Sequence, residues 1–202
     1  GATLSLFGAI AADIVVGGPL AMLDIHVERW LHGHAPAYLM PWMLAVTRLN
    51  STFAIACYAT LLGVLAFTRR QWLRLTTLAF CVAGGLLLND LMKLAFHRAR
   101  PAFDDPILTL TTYSFPSGHA AASTIFYALG VAWAFGQTRV IRWRALAVIG
   151  AALLISLVGF SRMVLGVHYL SDVVAGVAEG LFWVTLCLGA LARLWPRPVA
   201  PR

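Results

Sequence analysis

Residues 120–138 read AAASTIFYALGVAWAFGQT, and this run without a single charged side chain decides the fold class. A helix of about 20 such residues crosses the hydrocarbon core of a bilayer, whereas the core of a soluble protein does not need apolar runs of that length. Similar runs recur on both sides of it, and we count spans at 4–23, 50–68, 75–96, 120–138, 145–161 and 173–192. The sequence therefore predicts an all-α, polytopic membrane protein with six transmembrane helices.

The composition agrees with this class. The chain has 202 residues, of which 60% are hydrophobic and 11% charged, against roughly 25% charged residues in an ordinary soluble domain. A net charge of +7 does not indicate nucleic acid as a partner, because the basic residues lie at the edges of the apolar runs and form no soluble patch. We expect one domain that covers residues 1–202.

The arginines between the runs predict the orientation. Nine of them fall on one face if the six spans are correct, and the positive-inside rule makes that face cytoplasmic. They are Arg69, Arg70, Arg74, Arg139, Arg142, Arg144, Arg193, Arg197 and Arg202. On the outer face, residues 24–49 mix charges with aromatic residues, which favours interfacial helices between the first two spans. A surface linker is the alternative for that segment.

Three short motifs lie on the predicted outer face. The first, KLAFHRARP at 93–101, places Lys93 and Arg100 on one side of a helix if the helix continues, since seven residues make about two turns. We expect Pro101 to mark the end of that helix. For such a pair alone, snorkelling cations at a membrane boundary are the simpler explanation.

The second motif is PSGH at 116–119, directly before the run quoted above. Ser117 is a natural N-cap residue, and Gly118 lets a ligand approach the backbone, so the start of this helix is suited to an anion such as phosphate. A capped helix start without a ligand is the default for this tetrapeptide in isolation. His119 at a membrane edge is harder to explain in that way.

The third motif is SRMVLGVHYLSD at 161–172. On a helix His168 and Asp172 are neighbours, so the carboxylate can accept a hydrogen bond from one imidazole nitrogen and leave the other as a nucleophile. A structural His–Asp pair is the alternative. All three motifs share one face, and that convergence favours a common site.

Other polar residues in the runs are less informative. Asp90 is three residues before Lys93 and can pair with it, whereas Glu179 and Asp13 have either a functional or a structural role. His32 and His34 lack a third ligand for a metal site. Cys57, Cys81 and Cys187 fall inside spans, where a thiol is most simply a small apolar side chain.

Together the motifs resemble those of the type-2 phosphatidic acid phosphatase (PAP2) family, which also includes glucose-6-phosphatase and the vanadium haloperoxidases. The resemblance implies that His168 attacks phosphorus, Asp172 orients it and His119 protonates the leaving oxygen. It also implies a pocket for the phosphoryl oxygens, without metal or cofactor. The pocket would consist of Lys93, Arg100, Arg162, Ser117 and the Gly118 amide.

The function we expect is hydrolysis of a lipid mono- or diphosphate through a phosphohistidine. Undecaprenyl diphosphate, phosphatidylglycerophosphate and phosphatidate are the leading substrate classes. The expected location is a bacterial inner membrane, with the site facing the periplasm and with no obligate protein partner. The alternatives are a phosphotransferase with the same site and an anion transporter. A transporter predicts charges spread through the bilayer or inverted repeats.

Overall fold

The computed structural model describes residues 1–194, which form helices joined by short turns and one long loop. The α-helices are α1 (Ala2–Val16), α2 (Pro19–His34), α3 (Met40–Leu49), α4 (Thr52–Thr68), α5 (Trp72–Phe96), α6 (Gly118–Gln137), α7 (Ile141–Val164) and α8 (Leu170–Leu194). A 3-10 turn at Ala37–Leu39 precedes α3. The predicted all-α fold is confirmed, and the segment at 24–49 is helical over most of its length.

Three helices, α5, α7 and α8, are each long and apolar enough to cross a membrane. Two further pairs qualify as bent units: α1 with α2, bent by 83°, and the segment Ala37–Leu49 with α4, bent by 42°. The chain is thus a membrane protein with three to five candidate spans, and the predicted count of six is not confirmed. With 17 residues, α4 is shorter than the roughly 20 that a straight span needs.

The first predicted span, 4–23, is not one continuous helix. α1 ends at Val16, because Gly17 adopts a left-handed conformation with φ 67°, and α2 begins at Pro19 in a new direction. Asp13 stabilises this corner, since its Oδ1 accepts hydrogen bonds from the amides of Leu20 at 3.0 Å and Ala21 at 3.1 Å. The charge of Asp13 within the apolar run therefore has a structural role at the start of α2.

Close packing of α6 against α8 positions the motifs. A methyl group at Gly176 of α8 would lie 2.6 Å from the backbone oxygen of Ser117, and one at Gly180 would lie 2.9 Å from that of Ala121. Small residues let membrane helices approach in this way, with dispersion and not water exclusion as the driving force. The first turn of α6 is consequently fixed beside the first turn of α8, and the Ser117 amide donates to the Asp172 carbonyl at 3.0 Å.

One end of the helix bundle collects all three motifs. The end of α5, the loop 97–117, the start of α6 and the turn 165–169 between α7 and α8 meet there. The helix ends opposite the motifs carry Arg69, Arg70, Arg139 and Arg193. Two more arginines of the predicted cytoplasmic face, Arg197 and Arg202, are outside the described residues. Cys81 and Cys187 are buried in the apolar core, and Cys57 is exposed on α4.

Candidate active site

His168 is 2% exposed and lies on the turn between α7 and α8. Its Nδ1 is 3.3 Å from Oδ2 of Asp172, which is fully buried in the first turn of α8. The predicted contact is present, but the predicted helix is not, since α8 starts only at Leu170. The same carboxylate oxygen accepts the Tyr169 amide at 3.0 Å. The backbone turn, and not a helical i to i+4 step, brings the pair together.

Arg100 reaches the other imidazole nitrogen, with Nη1 3.1 Å from Nε2 of His168. The prediction that Arg100 continues the helix of Lys93 is wrong: α5 ends at Phe96, and His97 leaves it in a left-handed conformation with φ 49°. The loop holds Arg100 instead. Its guanidinium donates to the carbonyls of Val167 at 2.7 Å, Thr112 at 2.7 Å and Tyr113 at 3.0 Å.

Burial and these neighbours lower the pKa of His168 to about 4. Desolvation is the largest cause, the charges of Arg100 and Arg162 add to it, and Asp172 opposes it. Burial likewise lowers the pKa of Arg100. The imidazole is therefore neutral at physiological pH, and hydrogen bonding to Asp172 favours the tautomer with hydrogen on Nδ1. That tautomer leaves a lone pair on Nε2.

The start of α6 lies against Lys93. A methyl group at Gly118 would come within 3.0 Å of both Lys93 Nζ and Asn89 Oδ1, so only glycine leaves the space between the amide and the ammonium open. Lys93 is also 3.8 Å from Asp90, as the sequence suggested. Beneath it, the Asn89 amide donates to Oε2 of buried Glu179 at 2.8 Å, which gives Glu179 a partner inside the bundle.

Ser117 occupies the predicted N-cap position of α6, but its side chain accepts no capping hydrogen bond. Within residues 1–194 its buried Oγ has no partner at all. The hydroxyl and the free amides of the first helical turn therefore remain available to an anion. Ser117 is thus the N-cap residue, as the sequence predicts, although its side chain makes no capping hydrogen bond.

Arg162 and His119 complete the set of predicted residues. Arg162 is 3% exposed on α7; its Nη1 donates to Thr47 Oγ1 at 2.6 Å, and among the described residues its Nε finds no partner. His119 on α6 is partly buried, and the charges of Arg162, Lys93 and Arg100 act on it together with His168. All eight predicted residues thus lie at one end of the bundle, where buried Arg162 and the partly buried Lys93 and Arg100 are close to both histidines.

Two further residues join this site that sequence reasoning did not single out. Arg98 donates to Asp172 Oδ1 at 2.5 Å and to Asp24 Oδ2 at 2.8 Å. Asp24 on α2 is fully buried. Arg98 lies two residues before Arg100 in the first motif, and this position is the only feature of the sequence that could have assigned it to the site. Nothing in the sequence connects it to a carboxylate 74 positions earlier.

Metal ligands do not cluster in residues 1–194: no group of three or more His, Cys, Asp and Glu side chains there could hold an ion. The eight predicted residues supply mostly nitrogen donors that are cationic or already hydrogen-bonded. Such a set is complementary to the oxygens of a phosphate.

Comparison with known proteins gives consistent similarities. Residues 74–196 match the PAP2 superfamily. The chain is 34% identical over 151 residues to decaprenylphosphoryl-5-phosphoribose phosphatase of Mycobacterium tuberculosis, which covers 69% of this chain and 76% of that protein. It is 29% identical over 155 residues to phosphatidylglycerophosphatase B of Bacillus subtilis, covering 74% and 75%.

A solved structure is similar over nearly the whole length. The crystal structure of a transmembrane PAP2-type phosphatidylglycerolphosphate phosphatase from Bacillus subtilis has a TM-score of 0.83 at 26% identity, with 98% of each chain covered. The segment matched to the superfamily contains all eight predicted site residues.

Proposed function

Because this chain belongs to the PAP2 superfamily, we propose that it is a membrane phosphatase that releases inorganic phosphate from a lipid mono- or diphosphate. The observation that carries the proposal is the meeting of Lys93, Arg100 and Arg162 with two histidines at one end of the bundle. The related phosphatases act on phosphates of different lipids, a phosphatidylglycerol phosphate and a decaprenyl-linked ribose phosphate. A lipid phosphate is their shared chemistry.

In the first step, Nε2 of His168 forms a bond to phosphorus while the bond from phosphorus to the leaving oxygen breaks. The phosphate dianion bound beside His119 favours its protonated form, and His119 gives that proton to the leaving oxygen, so the leaving group departs neutral at that atom. Asp172 accepts a hydrogen bond from Nδ1 throughout, which favours the imidazole as its positive charge develops. The phosphoryl group is then held on His168.

In the second step, a water oxygen attacks phosphorus and the bond from Nε2 to phosphorus breaks. His119 takes the proton of that water, and inorganic phosphate leaves. Charge on the three equatorial oxygens needs compensation in both steps. Lys93, Arg100, Arg162, the Ser117 hydroxyl and the Gly118 amide provide it in this proposal, in the place that a metal ion takes in other phosphatases.

Arg100 has a second part in the reaction. Its Nη1 lies against Nε2 of His168. A phosphate carries negative oxygens that are stronger acceptors than a neutral imidazole nitrogen, so the guanidinium would transfer its hydrogen bond to the substrate and free the lone pair. Binding of the phosphate thus exposes the nucleophile.

An apolar groove of about 460 Å³ between α4 and α5 supports a lipid as the substrate. Ala56 and Leu86 line it, and these lie about one helical turn from Thr52 and Asn89, the neighbours of Gly118. A hydrocarbon tail in the groove would place its phosphate near Lys93. A six-span topology, with the arginine-rich ends cytoplasmic and the site at the outer face, belongs to the same proposal.

The test is phosphate release in detergent from phosphatidate, phosphatidylglycerophosphate, diacylglycerol diphosphate and undecaprenyl diphosphate. We expect release from at least one, abolished in His168→Ala, with a trappable phosphoenzyme in the wild type only. Release of phosphate from none of the four lipids by folded protein would overturn the proposal. Transfer of phosphate to an added lipid alcohol, in preference to water, would identify a phosphotransferase instead.

A further inference from the structure

Asp172 has three hydrogen-bond donors, and His168 is the most distant of them. Arg98 Nη1 donates to Oδ1 at 2.5 Å, the Tyr169 amide donates to Oδ2 at 3.0 Å, and His168 Nδ1 is 3.3 Å from Oδ2. Charge-assisted bonds to guanidinium are shorter and stronger than neutral ones. The rotamer of this carboxylate is therefore set chiefly by Arg98 and the backbone, and the imidazole adapts to it.

Arg98 is itself held from three sides. Its Nη2 donates to Asp24 at 2.8 Å, and its Nη1 also donates to the Ser171 hydroxyl at 2.7 Å. The guanidinium lies over the Tyr169 ring, with 4.3 Å between its carbon and the ring centroid. Only 13% of the Arg98 side chain is exposed. A buried arginine with this many partners cannot leave Asp172 without breaking all of them.

Asp24 closes the network from α2. Besides Arg98, it accepts the Ser171 amide at 2.9 Å and the Ser171 hydroxyl, so α2 is tied to the first turn of α8. The two buried carboxylates share one guanidinium, which is the compensation that buried acids require. Removing either side chain would leave a buried charge with fewer partners.

We propose that Arg98, held in place by Asp24, is a positioning residue that keeps Asp172 ionised and aimed at His168. This inference rests on the proposed phosphohistidine mechanism. Through Asp24, the helix α2 becomes part of the catalytic apparatus, although it lies outside the segment that matches the superfamily. A carboxylate paired with Arg98 also does not take the imidazole proton, so Nδ1–H is retained as the reaction proceeds.

The charges around His168 predict opposite effects for the two partners. The charged or titratable groups near it are Asp172, Arg98, Arg100, Arg162 and His119. Loss of the Arg98 cation leaves Asp172 less neutralised and favours imidazolium, so the pKa of His168 rises. Loss of the Asp24 anion leaves the positive charge of Arg98 less neutralised. The pKa of His168 then stays the same or falls. If Arg98 and Asp24 only stabilised the fold, neither substitution would change the pKa of His168.

The test compares purified Arg98→Gln, Arg98→Lys and Asp24→Asn with the wild type in one detergent. The matched control is Arg29→Gln, which removes an exposed cation from α2. For each protein, kcat/KM on one accepted lipid phosphate is measured from about pH 3 to 9, so that both sides of the acid limb are covered, together with thermal stability and phosphoenzyme formation.

We expect Arg98→Gln to lower kcat/KM by about 100-fold, the order of loss for a misplaced catalytic group, and to move the acid limb to higher pH. Arg98→Lys keeps the positive charge but not the bidentate geometry. We expect its acid limb at the wild-type pH and its kcat/KM between those of Arg98→Gln and the wild type. Asp24→Asn lowers the rate by about 10-fold, with the limb unmoved or at lower pH. Arg29→Gln behaves as wild type.

A folded Arg98→Gln with wild-type kcat/KM, or one with an unmoved acid limb, overturns the inference. If that variant does not fold, Asp24→Asn decides, and an unchanged rate in folded protein overturns it. Absence of activity in the wild type on every lipid phosphate would instead count against the proposed function, which separates the two failures.

Discussion

Arg100 Nη1 lies 3.1 Å from Nε2 of His168, so a cation covers the atom that the proposed mechanism uses as the nucleophile. A protonated imidazole in this position would face that cation at close range. The contact therefore favours the neutral form, in the same direction as burial, and in the proposed mechanism phosphate displaces the guanidinium before attack.

The pH profile should reflect this environment. Because burial, with help from Arg100 and Arg162, lowers the pKa of His168 to about 4, the nucleophile loses activity only as pH falls through about 4, and not through the ordinary value near 6.5. We expect an acid limb of kcat/KM below pH 5. Two substrates whose phosphates ionise differently separate enzyme from substrate, since an enzyme limb is common to both. A shared limb near pH 6.5 would contradict the prediction.

A methyl group at Gly118 should damage catalysis more than folding. It would come within 3.0 Å of Lys93 Nζ and Asn89 Oδ1, two side-chain ends that can each shift by a few tenths of an ångström, so the fold can adjust, but the space for a phosphoryl oxygen is lost. We expect Gly118→Ala to reduce kcat/KM by about 10- to 100-fold. Kinetics and thermal stability in detergent measure the two effects.

Gly130 in the same helix offers the matched control. Nothing lies within 4 Å of a methyl group there, so Gly130→Ala should keep full activity and gain up to about 1 kcal/mol from helix propensity. Equal losses of activity in both variants would assign the effect to the helix and not to the pocket.

Activity should survive exhaustive chelation and be inhibited by vanadate. Lys93, Arg100 and Arg162 supply the positive charge that the phosphoryl oxygens need, and vanadate adopts the five-coordinate geometry of the transferring phosphorus. The measurement is phosphate release before and after dialysis against chelator, and against vanadate concentration. Loss on chelation that a divalent ion restores would refute the metal-free mechanism.

The sequence was sufficient for the residue types of the site but not for its backbone. Apolar runs predict membrane helices, and the three motifs indicate His119, His168 and the cations. The position of Arg100, however, depends on the carbonyls of Thr112 and Tyr113 in a loop without periodicity. Helical spacing therefore selected the correct residue but predicted the wrong backbone conformation for it.

The network of Asp24 and Arg98 was beyond sequence reasoning for a different reason. Both resemble ordinary interfacial charges, and only the fold of α2 against α8 reveals that they meet. The break at Gly17 is an intermediate case. Two glycines and a proline signal a turn, but the apolar residues on both sides favoured a continuous span.

The proposed topology predicts which surface an impermeant reagent can reach. Thr111 is exposed in the loop next to the site, and Gln137 is exposed at the other end of α6. In a Cys57→Ser background, a cysteine at Thr111 should react with a membrane-impermeant thiol reagent in intact cells, whereas one at Gln137 should react only after lysis. The reverse pattern would place the site on the cytoplasmic face.

The division of labour between the two histidines can be separated by the choice of substrate. His168 forms the bond to phosphorus in every case, so His168→Ala should abolish turnover of all substrates. In the first step His119 acts on the leaving oxygen, and only this step differs between substrates, because the second step hydrolyses the same phosphohistidine in every case. An alcohol leaving from a phosphate monoester needs a proton in the transition state, while a phosphate monoester leaving from a diphosphate is far less basic and needs that proton less.

His119→Ala should therefore lower kcat/KM for phosphatidate by a larger factor than for diacylglycerol diphosphate, with the larger loss between about 100- and 10,000-fold. Both substrates are measured on wild type and variant in one detergent, so that binding and extraction effects largely cancel. Equal losses would mean that His119 mainly binds phosphate, since ground-state contacts with the phosphoryl group do not depend on the leaving group. A larger loss on the diphosphate would exclude His119 as the leaving-group acid, and the proton would then have to come from water or from another group near the start of α6.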